Sequence, residues 1–283
     1  MKISIIMRSK NEMPFIKYSL MMLEKQTIRD YELLIVDSGS TDGSWETALD
    51  FGPNIIYQIK PEEYIPGKVM NTAAQKCSGD ILVFNNADCI PQNEYWLENL
   101  VKPFRDPEVV AVFGNQIPRP NANPLIKKDY LRAFGDGQIH TKWRHFFSMA
   151  TSAVRASVLE EFPFYEEIQY SEDIEWSWRM KQLGKKIVYA PDAIVEHSHN
   201  YDFKQTIKRF KGEGKAEGYI YNERNRNVFA DIVKPACAET LRDFIYLVKK
   251  GEILWIPKAP IFRFLQRYGV WKGKKEFFST KDV

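Results

Sequence analysis

The sequence predicts an α/β fold: a single mostly parallel, mixed sheet flanked by helices, with a helical extension toward the C-terminus. Short, almost continuously apolar runs, Ile3 to Met7, Tyr31 to Val36 and Ile81 to Phe84, have the length and composition of strands buried on both faces. The second is followed by a polar loop and a helical pattern, the unit from which parallel sheets are built. The loops after these strands are rich in Asp, Asn and Ser, and the carboxyl ends of strands in an open α/β sheet form its ligand-binding rim.

In chain order, the strand Ile3 to Met7 leads into a polar loop, Arg8 to Glu12. A helix is expected from Met13 to Lys25, with Pro14 in its first turn, where a missing N–H costs nothing. Tyr31 to Val36 is the second strand, Ser44 to Asp50 a helix and Ile55 to Ile59 a third strand. After the Pro66-Gly67 turn, Val69 to Lys76 reads as a helix terminated by Gly79, and Ile81 to Phe84 as a central strand. Tyr95 to Phe104 is predicted helical and Val109 to Phe113 extended. The Pro-rich Ile117 to Pro124 segment divides residues 1–116 from residues 117–220. Beyond it come loops carrying Arg132, His140, Trp143 and Arg144, helices over Ser152 to Glu161 and Ile174 to Leu183, and extended segments over Lys186 to Tyr189 and Ala193 to Glu196. Residues 221–283 form the helical, amphipathic extension.

Composition narrows the function classes. At 283 residues, 44% hydrophobic and 14% aromatic, the chain can fill a large core. Its 40 basic and 37 acidic side chains are too nearly balanced to indicate a nucleic-acid partner. Three scattered cysteines suggest neither a disulfide framework nor a cysteine zinc cluster, which fits a reducing cytoplasm. No run approaches the roughly 20 apolar residues a membrane span needs, so a cytoplasmic protein is expected.

Three polar clusters stand out: Asn86-Ala87-Asp88 after the central strand, Ser171-Glu172-Asp173 before Ile174-Glu175-Trp176, and Glu196-His197-Ser198-His199. With Ile5 to Glu12, Val36 to Gly43, Gly79 to Phe84 and Pro91, their order and spacing resemble the inverting GT-A-fold glycosyltransferases of family 2. Among these the resemblance is to the bacterial rhamnosyltransferase-like members, over about residues 3 to 220. It implies a catalytic domain over 1–220, with a nucleotide-binding half (1–116) and an acceptor-binding half (117–220). It also implies transfer of a sugar from a nucleotide-diphosphate donor, dTDP-rhamnose or a UDP- or GDP-sugar, to a hydroxyl of a glycan, a lipid-linked or a small-molecule acceptor.

The family's usual Asp-x-Asp is here Asn86-Ala87-Asp88, which keeps one carboxylate to hold a divalent cation, Mn²⁺ or Mg²⁺, on the donor diphosphate. His197 and His199 alternate on an extended segment and are the expected imidazole contacts to that cation or to phosphate. Asp173 is the candidate general base, since an acceptor hydroxyl attacks well only as its proton is taken. Glu172 orients it, binds acceptor or caps the helix. The resemblance assigns Ser9, Glu12, Asp37, Asp42, Lys68, Asn71 and Asn86 to the donor. For Asp37 and Asp42, an Asx turn and a helix cap are the competing readings. Trp176, Trp178 and Arg179 are the acceptor candidates, although Trp176 and Trp178 cannot share one helical face. Arg209, Lys211 and Lys215 suggest a flexible basic loop that closes over phosphate.

Other readings fare worse. No Gly-x-Gly-x-x-Gly follows the first strand, which disfavours a dinucleotide oxidoreductase. A sugar-phosphate nucleotidyltransferase would carry a Gly-rich basic loop where Arg8 to Glu12 has no glycine. A noncatalytic carbohydrate-binding protein draws support only from Asn86. In the extension, Leu241, Phe244, Ile245 and Val248 trace an apolar helical stripe. It is expected to pack on the body of the chain or on a second copy, with an anionic membrane surface as the other reading.

Overall fold

The computed structural model describes residues 1–135 and 146–281; His140, Trp143 and Arg144 lie outside them. The first half alternates strands and helices: β1 (Ile3–Ser9), α1 (Phe15–Leu23), β2 (Glu32–Asp37), α2 (Ser44–Phe51), β3 (Ile55–Gln58), α3 (Pro66–Lys76), β4 (Ile81–Asn85), β5 (Ile90–Pro91), α4 (Trp96–Val101) and β6 (Val109–Ile117). Then come α5 (Pro124–Ala133), β7 (Thr151–Arg155), α6 (Ala156–Glu161), α7 (Glu172–Gln182), β8 (Lys186–Glu196), α8 (Phe203–Tyr221), α9 (Lys234–Lys250) and α10 (Ala259–Lys281).

The eight strands form one sheet in the order β3-β2-β1-β4-β7-β6-β8-β5. β1, β2, β3 and β4 run parallel, β7 runs antiparallel between β4 and β6, and β6 pairs parallel with β8. Both faces of the sheet are apolar, and the two-residue period of the strand sorts the side chains. Ile3, Ile5 and Met7 join Leu33, Ile35, Ile81 and Val83 on one face; Ile6, Leu34, Val36, Leu82 and Phe84 fill the other.

Two expected elements change. Ser152 to Glu161 is not one helix: Thr151–Arg155 is strand β7, and only Ala156–Glu161 is helical. Ser152, Ala153 and Val154 are buried between β4 and β6, where ladder pairing on both sides outweighs local helical preference. The two extended pieces after Lys186 are one strand, β8, with a register irregularity against β6 between Gly114 and Asn115.

The chain divides into two compact units. The first comprises Met1–Arg119, Ala133–Ile168 and Glu172–His197, and contains the sheet; the second comprises Pro120–Arg132, Gln169–Ser171 and Ser198–Val283. In the second, α8 is capped by Asp202, whose Oδ1 accepts from the Gln205 N–H at 2.7 Å, while Gln205 Oε1 accepts from the Asp202 N–H. Arg209, Lys211 and Lys215 lie on α8, not on a loop, and pair with Glu213 or Glu276. Leu241, Phe244, Ile245 and Val248, the apolar stripe of α9, are all exposed. No helix among the described residues is long and apolar enough to cross a membrane.

Helices α8 and α10 touch backbone to backbone. A Cβ on Gly273 would sit 2.1 Å from the Lys211 carbonyl oxygen and 2.8 Å from the Lys215 nitrogen. Helix propensity favours Ala over Gly by about 1 kcal/mol, but a clash with rigid backbone costs about 1–3 kcal/mol. Gly273→Ala is therefore expected to lower stability, as read from the urea midpoint of the second unit's transition; an unchanged or raised midpoint would contradict the close approach.

Candidate active site

Parallel pairing places the carboxyl ends of β1, β2 and β4 on one edge of the sheet, and β6 and β8 end on that same edge after the antiparallel β7. Ser9, Asp37, Asn86 to Asp88, Ile117 to Arg119 and His197 therefore gather along one rim. The loops after β1 and β2 are tied together there. The Asn11 N–H donates to Ser40 Oγ, the Thr41 N–H to Asn11 Oδ1, the Glu12 N–H to Ser44 Oγ and the Met13 N–H to Asp42 Oδ2.

Asp88 is buried at the centre of one cluster. Its Oδ2 lies 3.3 Å from Arg119 Nη2 and 3.3 Å from His197 Nε2, and Arg119 Nη2 also donates to the Asp88 carbonyl at 2.7 Å. The Arg119 guanidinium stacks 3.6 Å above the Phe15 ring, which fixes its plane. Gln116 donates through Nε2 to Ser148 Oγ, so its Oε1 accepts from His197 Nδ1 at 2.8 Å. That arrangement turns Nε2 of His197 toward Asp88. Asp88, His197 and Cys89 offer ligand atoms within 4.8 Å of one another. Burial, with the Asp88 charge, pushes the Cys89 thiol well up, so it stays protonated and is a poor ligand beside carboxylate and imidazole.

A second cluster is organised by Arg8. Its Nε donates to Asn86 Oδ1 at 2.8 Å and its Nη1 to Glu172 Oε1 at 2.9 Å, with Tyr64 Oη at 3.3 Å. Glu172 and Asp173 open α7, where the helix N-terminus favours negative charge. Asp173 accepts from the Met149 N–H at 3.1 Å and from its neighbour Ile174 N–H at 2.8 Å. Burial pushes the Asp173 carboxyl up to about 6, reinforced by the Glu172 charge and opposed by the Met149 N–H and Arg8. Glu12 lies between the two clusters electrostatically: burial and Asp88 push its carboxyl up to about 8, against the pull of Arg119 and Arg8.

Ser9 is buried, with no partner for its hydroxyl among the described residues, and Lys68 is exposed on α3. Asp37 builds its loop, accepting from the Gly39 and Ser40 N–H groups, Ser40 Oγ and Gln58 Nε2. Asp42 Oδ1 receives the Ser44 N–H at the start of α2. Asn71 is buried with its amide spent on Phe164 and Glu166, and Arg179 pairs with Glu175 and the Pro163 carbonyl. Trp176 is corrected outright as an acceptor candidate: it is fully buried and donates its indole N–H to the Phe162 carbonyl. Trp178 is half-buried. His199 belongs to the second unit, where it stacks on Tyr201. Arg8, Arg119 and Gln116 escaped the sequence reading. Only Arg8 carried a signal, a charge inside an otherwise apolar strand.

The model of glycosyl transferase family 2 matches residues 4–162. The O-antigen chain rhamnosyltransferase WbaN of Salmonella anatum is 33% identical over 267 residues, covering 89% of this chain and 82% of the relative. The O-antigen chain rhamnosyltransferase RfbN of Salmonella typhimurium is 29% identical, covering 97% and 90%. Among solved structures, a mannosyltransferase from Pyrobaculum calidifontis in complex with GDP-Man and Mn²⁺ superposes with a TM-score of 0.69 at 18% identity, covering 99% of this chain and 88% of that one. Glucosyl-3-phosphoglycerate synthase from Mycobacterium tuberculosis, with Mn²⁺, UDP-glucose and phosphoglyceric acid, reaches 0.54 at 20% identity, covering 75% and 77%. Fold, family match and relatives agree, and they set aside the nucleotidyltransferase and noncatalytic readings: the chain belongs to glycosyl transferase family 2 and is a glycosyltransferase.

Proposed function

We propose that the chain transfers a sugar, with inversion at the anomeric carbon, from a nucleoside-diphosphate donor to a hydroxyl of a growing cell-envelope glycan. The reading places dTDP-rhamnose first and UDP- or GDP-sugars behind it. The two rhamnosyltransferases support that order. The observation that carries the proposal is a carboxylate with raised proton affinity, Asp173, whose Glu172 neighbour is joined through Arg8 to the Asn86 loop carrying Asp88.

In this reading Asp173 takes the proton of the acceptor hydroxyl as its oxygen attacks the anomeric carbon. The bond from that carbon to the diphosphate breaks on the opposite face, and the nucleoside diphosphate leaves with the electron pair. One base and one displacement give inversion. Asp88 Oδ2 and His197 Nε2 would hold a divalent cation, and the imidazole favours Mn²⁺ over Mg²⁺. Such a cation offsets the charge gathering on the leaving diphosphate. Arg119 holds the Asp88 carboxylate in place, and Gln116 sets the His197 ring. Ser9, with its buried hydroxyl, and Glu12 would hydrogen-bond to the nucleotide, while Asp37 and Asp42 shape its loop. Trp178 is the acceptor-side aromatic of this reading, and exposed Lys68 is a donor-side cation.

Asp173→Asn keeps the shape of the side chain and removes the base. A fall in kcat of about 10²–10⁴ is expected, with nucleotide affinity nearly unchanged; a variant that transferred at the full rate would remove Asp173 from the mechanism. The ionised carboxylate is the active form, so kcat is expected to rise with pH through about 6. Glu172→Gln deletes the charge that raises Asp173 and frees Arg8 to lower it further, so the midpoint should move to lower pH. A midpoint that stayed in place would show that another group titrates. For the donor end, calorimetry of dTDP, UDP and GDP with and without Mn²⁺ should find metal-dependent binding to one nucleotide, weakened at least about tenfold in Asp88→Asn and in His197→Ala. Equal binding with and without metal would argue against this cation site.

A further inference from the structure

Helix α9 buries two acids and exposes an apolar stripe. Its buried face carries Glu239 and Asp243 beside Ala236 and Leu247, and its outward face carries Leu241, Phe244, Ile245 and Val248, which are 64%, 48%, 48% and 52% exposed. The buried acids are neutralised within the second unit. Arg263 donates to Asp243 at 2.7 and 2.9 Å, Lys128 joins it, and Glu239 receives Arg132 at 3.1 Å and Arg242 at 2.5 Å. The apolar face continues past Gly251 into the turn to α10, where Ile253 and Leu254 are 65% and 85% exposed. The outward positions follow i, i+3, i+4 and i+7, so they form one stripe along the helix. A single exposed leucine is ordinary; a stripe of this length marks an interaction surface.

The charges beside the stripe select its partner. Between Lys234 and Lys258 the exposed charged side chains, Lys234, Arg242, Lys249, Lys250 and Lys258, are all basic, while the acids of this stretch, Glu239, Asp243 and Glu252, are buried or half-buried. Two copies meeting through this face would bring like charges together. A surface of anionic lipid headgroups over hydrocarbon complements both features at once. We infer that the α9 face and the Ile253-Leu254 turn dock the protein on an anionic membrane surface, with the aliphatic and aromatic side chains entering the interface and the lysines meeting phosphate. The inference is independent of the donor and of the reaction proposed above.

The test is flotation of the full chain with vesicles. The protein should float with phosphatidylethanolamine vesicles containing phosphatidylglycerol and stay behind with phosphatidylcholine alone, and raised salt should release it. Replacing Leu241, Phe244 and Val248 together by Gln should cut the floated fraction at least about tenfold. Lys249→Glu with Lys250→Glu should do so through charge alone. All five side chains are exposed, so circular dichroism melts should stay near those of the parent. The inference is overturned if the parent fails to float, or if both variants float as it does. It is equally overturned if the parent sediments as a dimer without floating and the Gln variant as a monomer, which would assign the face to a second copy.

Discussion

Parallel pairing of β1 with β2 on one side and β4 on the other is the constraint from which the candidate site follows. Strands paired this way end together, so three loops distant in sequence must meet on one edge without any contact designed between them. The ladder can run parallel only because both faces are covered, and the strand period supplies apolar side chains to each in turn. β7 is the one central strand that reverses. Its antiparallel insertion lets β6 and β8 end on the same edge and delivers Arg119 and His197 to Asp88.

Arg8 ties the electrostatics of this edge together. Its guanidinium spans Asn86, from the loop of β4, and Glu172, from the start of α7, so one side chain couples the loop that carries Asp88 to the helix that carries Asp173. An arginine suits this place because its planar fork serves two acceptors at once and stays charged when buried. Glu172, in turn, is both partner to Arg8 and a source of negative potential at Asp173. The two carboxylates therefore differ in character despite adjacent positions: Glu172 is paired with the Arg8 guanidinium, and Asp173, pushed up to about 6 by burial, keeps a proton affinity fit for base chemistry near neutral pH.

Much of this was legible in the chain. Ile3 to Met7, Tyr31 to Val36 and Ile81 to Phe84 are apolar without alternation, which only strands buried on both faces require, and their following loops then fall on one rim. What failed, failed for tertiary reasons. Ser152 to Arg155 looks helical in isolation and becomes a strand because β4 and β6 leave a two-sided slot for it. Trp176 resembled a sugar platform, yet its indole N–H finds the Phe162 carbonyl and the ring fills the core. Arg119 sits between two prolines in a segment without periodicity, so nothing in its neighbourhood signals the carboxylate it meets.

Asn86, the departure from the family's paired carboxylates, makes electrostatic sense in this setting. Asp88 and Glu12 already crowd one another, and that repulsion, added to burial, lifts Glu12 to about 8. A third carboxylate at position 86 would push Glu12 up further and would compete with Glu172 for Arg8. The amide oxygen accepts the Arg8 Nε–H at 2.8 Å with no charge of its own. It keeps the loop anchored while leaving Asp88 the carboxylate of that loop, and it leaves Arg8 to pair with Glu172 beside Asp173.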